Sequence, residues 1–300
     1  MPKDKTNSAI LIVLLAGIFW SFGALVVRYI EDARSVPWQY LFFRGLTIFI
    51  LLNVYLFFKE GKSFIKNYKK IDLSIVIGGI GFATAFIGFI WSITHTSAAI
   101  TLLMLAAMPF MTAILGYIFL KEKVSFTTLT AIIIAAIGII FMALSSSKLG
   151  TLFGLLLGLL SSLGFSIASV SLRWNKRTPT FTTVSLAGLF CAIVSFVVLM
   201  ISEQSFFTTF RNSSLSALHG TLVCSGLILY TIGSKKLPAA DLTLLSLTEV
   251  LGGIFWVWLP IFGINEVPTS NTIIGGFIIT FSILYYSLNT KRNRRFIGLN

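Results

Sequence analysis

Ten stretches of about 20 mostly apolar residues follow one another along this chain, with short polar links between them. A stretch of that length spans a bilayer as a helix, because backbone groups have no water to bond with in lipid. Of the 300 residues, 56% are hydrophobic and only 11% are charged. This composition excludes a soluble enzyme, a disordered protein and a secreted disulfide scaffold. We therefore predict an all-α integral membrane protein with ten transmembrane helices.

The ten predicted spans divide into two groups of five. The first five are Ala9–Ile30, Val36–Phe58, Leu73–Ile93, Ser97–Leu120 and Phe126–Leu144. The second five are Gly150–Leu172, Phe181–Ile201, Leu215–Ser234, Ala239–Phe262 and Thr272–Leu288. No cleavage site follows the first span, so it is predicted to be a retained helix rather than a signal peptide.

Lys and Arg residues are concentrated in alternate links. If the N-terminus is cytoplasmic, 18 of the 23 basic residues lie in cytoplasmic segments, and only Arg34, Lys148 and Arg211 lie in outer segments. Basic residues favour the cytoplasmic side of a membrane. We therefore expect a multi-pass protein of the cell membrane (the cytoplasmic or inner membrane) with both termini in the cytoplasm. This distribution accounts for the net charge of +13 without nucleic acid as a partner.

Three segments of the first half recur in the same order in the second half. The aligned pairs are Ser97–Leu103 with Pro238–Leu244, Glu122–Ser125 with Glu266–Thr269, and Trp20–Gly23 with Phe165–Ala168. The last pair is followed at equal distance by Arg28 and Arg173. These matches predict two repeats, residues 1–145 and 146–300. Because each repeat has five helices, the second enters the membrane from the opposite side, as in many secondary transporters.

The same residues resemble the EamA type of the drug/metabolite transporter superfamily. The motifs are Ser97-Ala98-Ala99 at the start of helix 4, Pro109 within it, Glu122 after it, and Glu249-Val250 and Glu266 in the second copy. Val250 stands where the family has a proline, and Pro260 lies further along helix 9. The resemblance implies ten helices around a central cavity and the export of amino acids or similar metabolites.

Two charged residues are predicted to lie deep in the membrane. Glu249 is roughly 15 Å into helix 9, and Arg44 is roughly 12 Å into helix 2. Such charges are costly in lipid and usually functional. Glu249 could exchange a proton, bind a substrate ammonium, or be a structural carboxyl. Arg44 could hold a substrate carboxylate, pair with Glu249, or bond helix-end carbonyls.

Several polar or helix-distorting residues are predicted at similar depth. These candidate substrate-binding residues are Trp20, Ser21, Thr84, Pro109, Ser162 and Ser225. A few polar groups among aromatic side chains are typical of small-molecule sites, although each could equally serve packing. Ser162 and Ser166 also continue a stripe of small residues, Gly150, Gly154 and Gly158, which favours close helix packing.

Arg28, His95 and His219 are weaker candidates for gating residues. All three are predicted near the outer ends of helices, where a structural role is the main alternative. Cys191 and Cys224 each lie within an apolar span and are interpreted as packing residues.

No motif for a nucleophile, a metal or a nucleotide phosphate is present in the sequence, so we expect no cofactor and no enzymatic activity. The predicted function is secondary transport of a small polar or amphipathic, amino-acid-like metabolite, most simply export by alternating access. Proton coupling and a homodimer are left open. The alternatives are import of a metabolite or nucleotide-sugar-like solute, a membrane-embedded enzyme or lipid-handling protein, and a structural or sensor protein.

Overall fold

The computed structural model describes residues 3–144, 152–174 and 180–296, and within these the side chains of 7–141, 152–174 and 180–289. The described residues form helices and contain no strand. The helices of the first half are α1 (Lys3–Arg28), α2 (Pro37–Glu60), α3 (Ile65–Tyr68), α4 (Leu73–His95), α5 (Ala98–Leu105), α6 (Met108–Leu120) and α7 (Phe126–Leu144). Those of the second half are α8 (Leu152–Trp174), α9 (Thr180–Ile201), α10 (Phe210–Ser234), α11 (Ala239–Leu245), α12 (Thr248–Trp258) and α13 (Ser270–Phe296).

The ten predicted spans are confirmed in number and order. Nine described spans are long and apolar enough to cross a membrane, and the shorter apolar helix Phe126–Phe141 is the tenth. Four boundaries differ from the prediction by four or more residues: the first helix begins at Lys3 rather than Ala9, the tenth ends at Phe296 rather than Leu288, and the other two lie in the eighth and ninth spans. The eighth span begins at Phe210 rather than Leu215, and the ninth ends at Trp258, before a short 3-10 turn. The predicted boundary between the repeats, at residues 145 and 146, lies outside the described residues and stays a prediction.

The two halves pack against each other with two-fold regularity. Helix α4 packs along α8, and the corresponding helices of the other half, α10 and α1, also pack together. Helix α2 packs against its counterpart α9, and α7 against its counterpart α13. Each of these contacts maps onto itself or onto another contact when the halves are exchanged. The fold is therefore two inverted five-helix repeats, as predicted.

One crossing shows the two-fold relationship at atomic scale. Gly45 in α2 and Gly188 in α9 face each other. A Cβ atom added to Gly45 would lie 2.8 Å from the carbonyl oxygen of Gly188, and one added to Gly188 would lie 2.7 Å from that of Gly45. Such close backbone approach requires glycine at both positions.

The fourth and ninth spans are each broken in the middle. The fourth is interrupted at Ala106 and Ala107, just before Pro109, whose ring lacks the N–H that a continuous helix needs. Its carbonyl oxygens near the break accept hydrogen bonds from the small-residue stripe of α8: Ser162 donates to Met104 and Ser166 to Met108. These bonds satisfy backbone groups that lipid could not.

The ninth span breaks at Ser246 and Leu247 although Val250 stands where the family has a proline. Its first segment, α11, carries the buried Asp241, whose carboxylate accepts hydrogen bonds from Thr128 at 2.8 Å and Tyr286 at 2.6 Å. These bonds tie α11 to α7 and α13. The two broken spans pack against each other, α5 against α12 and α6 against α11, and residues beside both breaks line one cavity.

Candidate substrate-binding site

A narrow cavity lies among α1, α2, α4, α8 and α10, beside both helix breaks. Its polar lining groups are Trp20, Arg44, Ser161, His219 and Glu249. Its apolar walls include Phe86, Phe89, Phe165, Leu105 and Met108. The centres of water molecules can occupy a volume of about 40 Å³ in the cavity, so it has room for a few waters. A metabolite would require the helices around it to move apart.

Arg44 is the most unusual group in this cavity. Its side chain is 3% exposed, yet its Nε and Nη1 atoms have no hydrogen-bond partner. The guanidinium carbon lies 4.9 Å from the centre of the Phe86 ring, a cation–π contact. Leaving buried donors of a charged group unsatisfied is costly, so this geometry suits an anion that enters from outside.

Glu249 lies in the first turn of α12, directly after the break in the ninth span. It lines the same cavity as Arg44, but the two side chains form no ion pair. The predicted alternative in which Arg44 is paired with Glu249 is therefore not the arrangement of this structure. The cavity therefore presents a guanidinium and a carboxyl group that are not paired with each other.

Trp20 and His219 complete the polar part of the cavity. The indole N–H of Trp20 donates to the carbonyl oxygen of Val223 at 3.2 Å, which fixes the ring against Phe165. His219 shares a 2.5 Å hydrogen bond between its Nδ1 and the hydroxyl of Tyr40. It lies deeper than the sequence predicts because α10 begins five residues earlier, at Phe210.

Four predicted side chains lie outside this cavity. Ser21 accepts a 2.8 Å hydrogen bond from Trp256 and joins α1 to α12. Thr84 faces Gly164 of α8, and Ser225 donates to Thr221 within its own helix. Ser162 donates to Met104, as described above, whereas its neighbour Ser161 lines the cavity.

Pro109 and His95 also do not line the cavity. Pro109 lies next to Met108, which does, so the proline shapes the site through the helix break. His95 bonds the carbonyl oxygen of Trp91 at 2.8 Å and stacks on its ring near the end of α4. The assignment of all these residues to substrate binding or gating stays a prediction.

Arg28, the third gating candidate, forms an ion pair with Glu266 at 2.5 Å rather than contacting its neighbours Glu31 and Asp32. A second ion pair joins Arg173 to Glu122 at the opposite end of the molecule. In the sequence repeat, Arg28 corresponds to Arg173 and Glu122 corresponds to Glu266. This correspondence does not indicate which arginine pairs with which glutamate.

The described residues contain no group of three or more His, Cys, Asp or Glu side chains that could hold a metal ion. Cys191 and Cys224 are free and buried, in agreement with a packing role.

Comparison with known proteins finds sequence similarity to membrane transporters. The model of the EamA-like transporter family matches residues 7–144, which are the first five-helix half. A solved crystal structure that is 18% identical superposes with a TM-score of 0.74 and covers 95% of this chain and 98% of its own. At that identity the superposition concerns the fold alone.

Three relatives are named as transporters. An uncharacterized transporter of Helicobacter pylori is 25% identical over 81% of this chain and 83% of its own. The pseudopaline exporter CntI of Pseudomonas aeruginosa is 22% identical over 97% of this chain and 100% of its own. The uncharacterized transporter YojE of Bacillus subtilis is 24% identical over 79% and 80%. These similarities confirm the resemblance to EamA-type transporters of the drug/metabolite transporter superfamily. The chain is therefore classed with multi-pass membrane transporters.

Proposed function

We propose that this chain exports a small amino-acid-like metabolite across the cell membrane by alternating access. The observation that carries the proposal is Arg44, whose Nε and Nη1 atoms are buried in the cavity without a hydrogen-bond partner. A guanidinium offers parallel donors that match the two oxygens of a carboxylate. The substrate carboxylate binds there.

The rest of the cavity supports an amphipathic substrate. Phe86, Phe89, Phe165 and Trp20 give it aromatic walls that suit an apolar body. Because the cavity has room for only a few waters, we place the substrate there after one mouth has opened.

Glu249 is assigned to proton coupling. Its carboxyl lies in the cavity without an ion-pair partner, next to a break in the helix that carries it. A charged carboxylate is costly at membrane depth. The site therefore changes its exposure from one side of the membrane to the other more easily when Glu249 has taken up a proton, which it then releases on the second side. The alternative assignment, in which Glu249 binds the substrate's ammonium, predicts a different mutant behaviour.

The distribution of basic residues supports the orientation. Lys59 and Lys235 lie over the same ring, that of Phe181, at 4.3 and 5.4 Å. Burial, followed by repulsion from Lys59, lowers the pKa of Lys235. We assign this basic face to the cytoplasm, with both termini. Export is supported by one relative, which is named a pseudopaline exporter.

The experiment is transport by the purified full chain in proteoliposomes. Radiolabelled amino acids are compared with matched amines, which lack the carboxylate. We expect exchange for the acids, no exchange for the amines, and loss of acid exchange in Arg44→Ala. Arg211→Ala, which removes an arginine that is more than half exposed, serves as the control and should transport normally. Equal transport of acids and amines by the wild type would contradict carboxylate recognition.

A further inference from the structure

The end of the molecule where α1 stops carries a cluster of charges that joins the two halves. Arg28 forms an ion pair with Glu266 and donates to the carbonyl oxygens of Ile93 at 3.1 Å and Thr96 at 3.2 Å. The other oxygen of Glu266 accepts a 3.3 Å bond from the backbone N–H of Ala98. We call these five residues the Arg28 cluster and this end the Arg28 face.

The opposite end carries the same arrangement with the halves exchanged. Arg173 forms an ion pair with Glu122 at 2.6 Å and donates to the carbonyl oxygens of Ser234, at 2.7 Å, and Leu237. The other oxygen of Glu122 accepts a 3.0 Å bond from the backbone N–H of Ala239. We call these residues the Arg173 cluster and this end the Arg173 face.

The two clusters correspond group by group. In each, an arginine at the end of a repeat's first span bonds carbonyl oxygens where the third span of the same repeat ends. The glutamate of each cluster comes from the opposite repeat, where it follows the broken span. Glu266 of the second repeat binds Arg28 and Ala98 of the first. Glu122 of the first repeat binds Arg173 and Ala239 of the second. Each cluster therefore fastens the two halves at one face only.

Both clusters are partly shielded from solvent, which distinguishes them from an ordinary surface pair. The side chains of Arg28 and Glu266 are 21% and 31% exposed, and those of Arg173 and Glu122 are 18% and 23% exposed. The remaining pair among the described side chains, Arg211 with Glu31, is 57% and 47% exposed and makes no comparable bonds to helix ends. Exposed pairs contribute little, whereas shielded and bonded ones hold their elements together.

We propose that the Arg28 and Arg173 clusters are reciprocal gates that close the two mouths of the central cavity. With both clusters formed, the cavity is narrow, as observed. Breaking the Arg28 cluster releases Glu266 from α1 and α5 and opens the Arg28 face while the Arg173 cluster keeps the other face closed. Breaking the Arg173 cluster instead opens the Arg173 face while the Arg28 cluster keeps the Arg28 face closed. The two open states are therefore related by the two-fold symmetry of the inverted repeat.

This inference rests on the alternating access in the proposed function, but its test reads accessibility instead of transport. A single reporter cysteine, Ala85→Cys, is placed in the cavity wall of a full-length chain in which Cys191 and Cys224 are replaced by alanine. A membrane-impermeant thiol reagent is applied to one side of oriented vesicles at a time, and the labelling rate is measured.

Two substitutions of equal shape test the gates. We expect Glu266→Gln to raise labelling from the Arg28 face by about tenfold or more and to leave labelling from the Arg173 face unchanged. Glu122→Gln should do the reverse. Glu31→Gln removes a charge from the exposed pair and should label like the parent. Arg28→Lys and Arg173→Lys, which keep the charge but lose several bonds, should change labelling in the same directions to a smaller extent.

The mirror-image response is the decisive result. Increased labelling from the same face in both glutamine variants, equal increases from both faces, or parent-like labelling in all variants would overturn the gates. If a glutamine variant does not fold, the matching lysine variant decides by the same criterion. Absent transport by the wild type would refute the proposed function, whereas face-specific labelling would still support the gates.

Discussion

Arg44 and Glu249 line the same buried cavity and yet form no ion pair. Opposite charges that share a low-dielectric cavity would attract each other strongly if nothing else held them. The guanidinium of Arg44 lies instead over the Phe86 ring, 4.9 Å from its centre. Because the two groups are not paired, Arg44 can bind a substrate carboxylate while Glu249 exchanges a proton.

Replacing Arg44 separates the role of its shape from the role of its charge. We expect Arg44→Lys to reduce exchange by about tenfold or more, because an ammonium keeps the charge but lacks the planar pair of donors. Exchange is measured in proteoliposomes containing equal amounts of folded protein. Normal exchange by Arg44→Lys would mean that only a positive charge is required and that bidentate recognition is wrong.

Filling the helix crossing at Gly45 should destabilise the fold. In Gly45→Ala the new methyl group meets the Gly188 carbonyl oxygen at 2.8 Å, so the helices must shift. We expect a loss of about 1–3 kcal/mol, the usual cost of overpacking. Thermal unfolding in detergent measures it. Gly276→Ala is the matched control, because its nearest neighbour, a methyl carbon of Leu251, lies at 3.7 Å; an equal loss there would refute the close-packing explanation.

The orientation of the chain can be tested by labelling single cysteines. Lys66→Cys and Gln204→Cys, in a chain without Cys191 and Cys224, lie in links on opposite faces. We expect Lys66→Cys to react only from the cytoplasmic side and Gln204→Cys only from the outside, following the basic residues. Reaction of both from one side would contradict the ten-helix topology, and a reversed pattern would contradict the assigned orientation.

The sequence predicted the spans well because length and hydropathy determine what can cross a membrane. It predicts a similar depth for Arg44, Glu249 and Trp20 from the rise of a helix, and the three side chains line one cavity. Depth does not indicate which side of a helix faces the cavity. For this reason the sequence predicts Ser162 at the site, whereas Ser161 lines the cavity. Ser21, also predicted there, accepts a hydrogen bond from Trp256 and does not line the cavity.

Other features depended on contacts that a single sequence does not express. The break in the ninth span has no proline to mark it, and it forms where two halves of the span pack on different neighbours. The ion-pair partner of Arg28 is Glu266, which lies in the other half of the chain. Only the three-dimensional arrangement of the repeats brings these residues together.

The most direct test of coupled transport through the central cavity is the behaviour of Glu249→Gln in proteoliposomes. Glutamine resembles a permanently protonated glutamate but cannot release a proton. We expect net flux driven by a pH gradient to fall by about tenfold or more, while exchange between two substrate-filled sides keeps most of its rate. A parallel loss of both activities would assign Glu249 to the substrate's ammonium instead of the proton. Wild-type rates for both net flux and exchange would contradict the account.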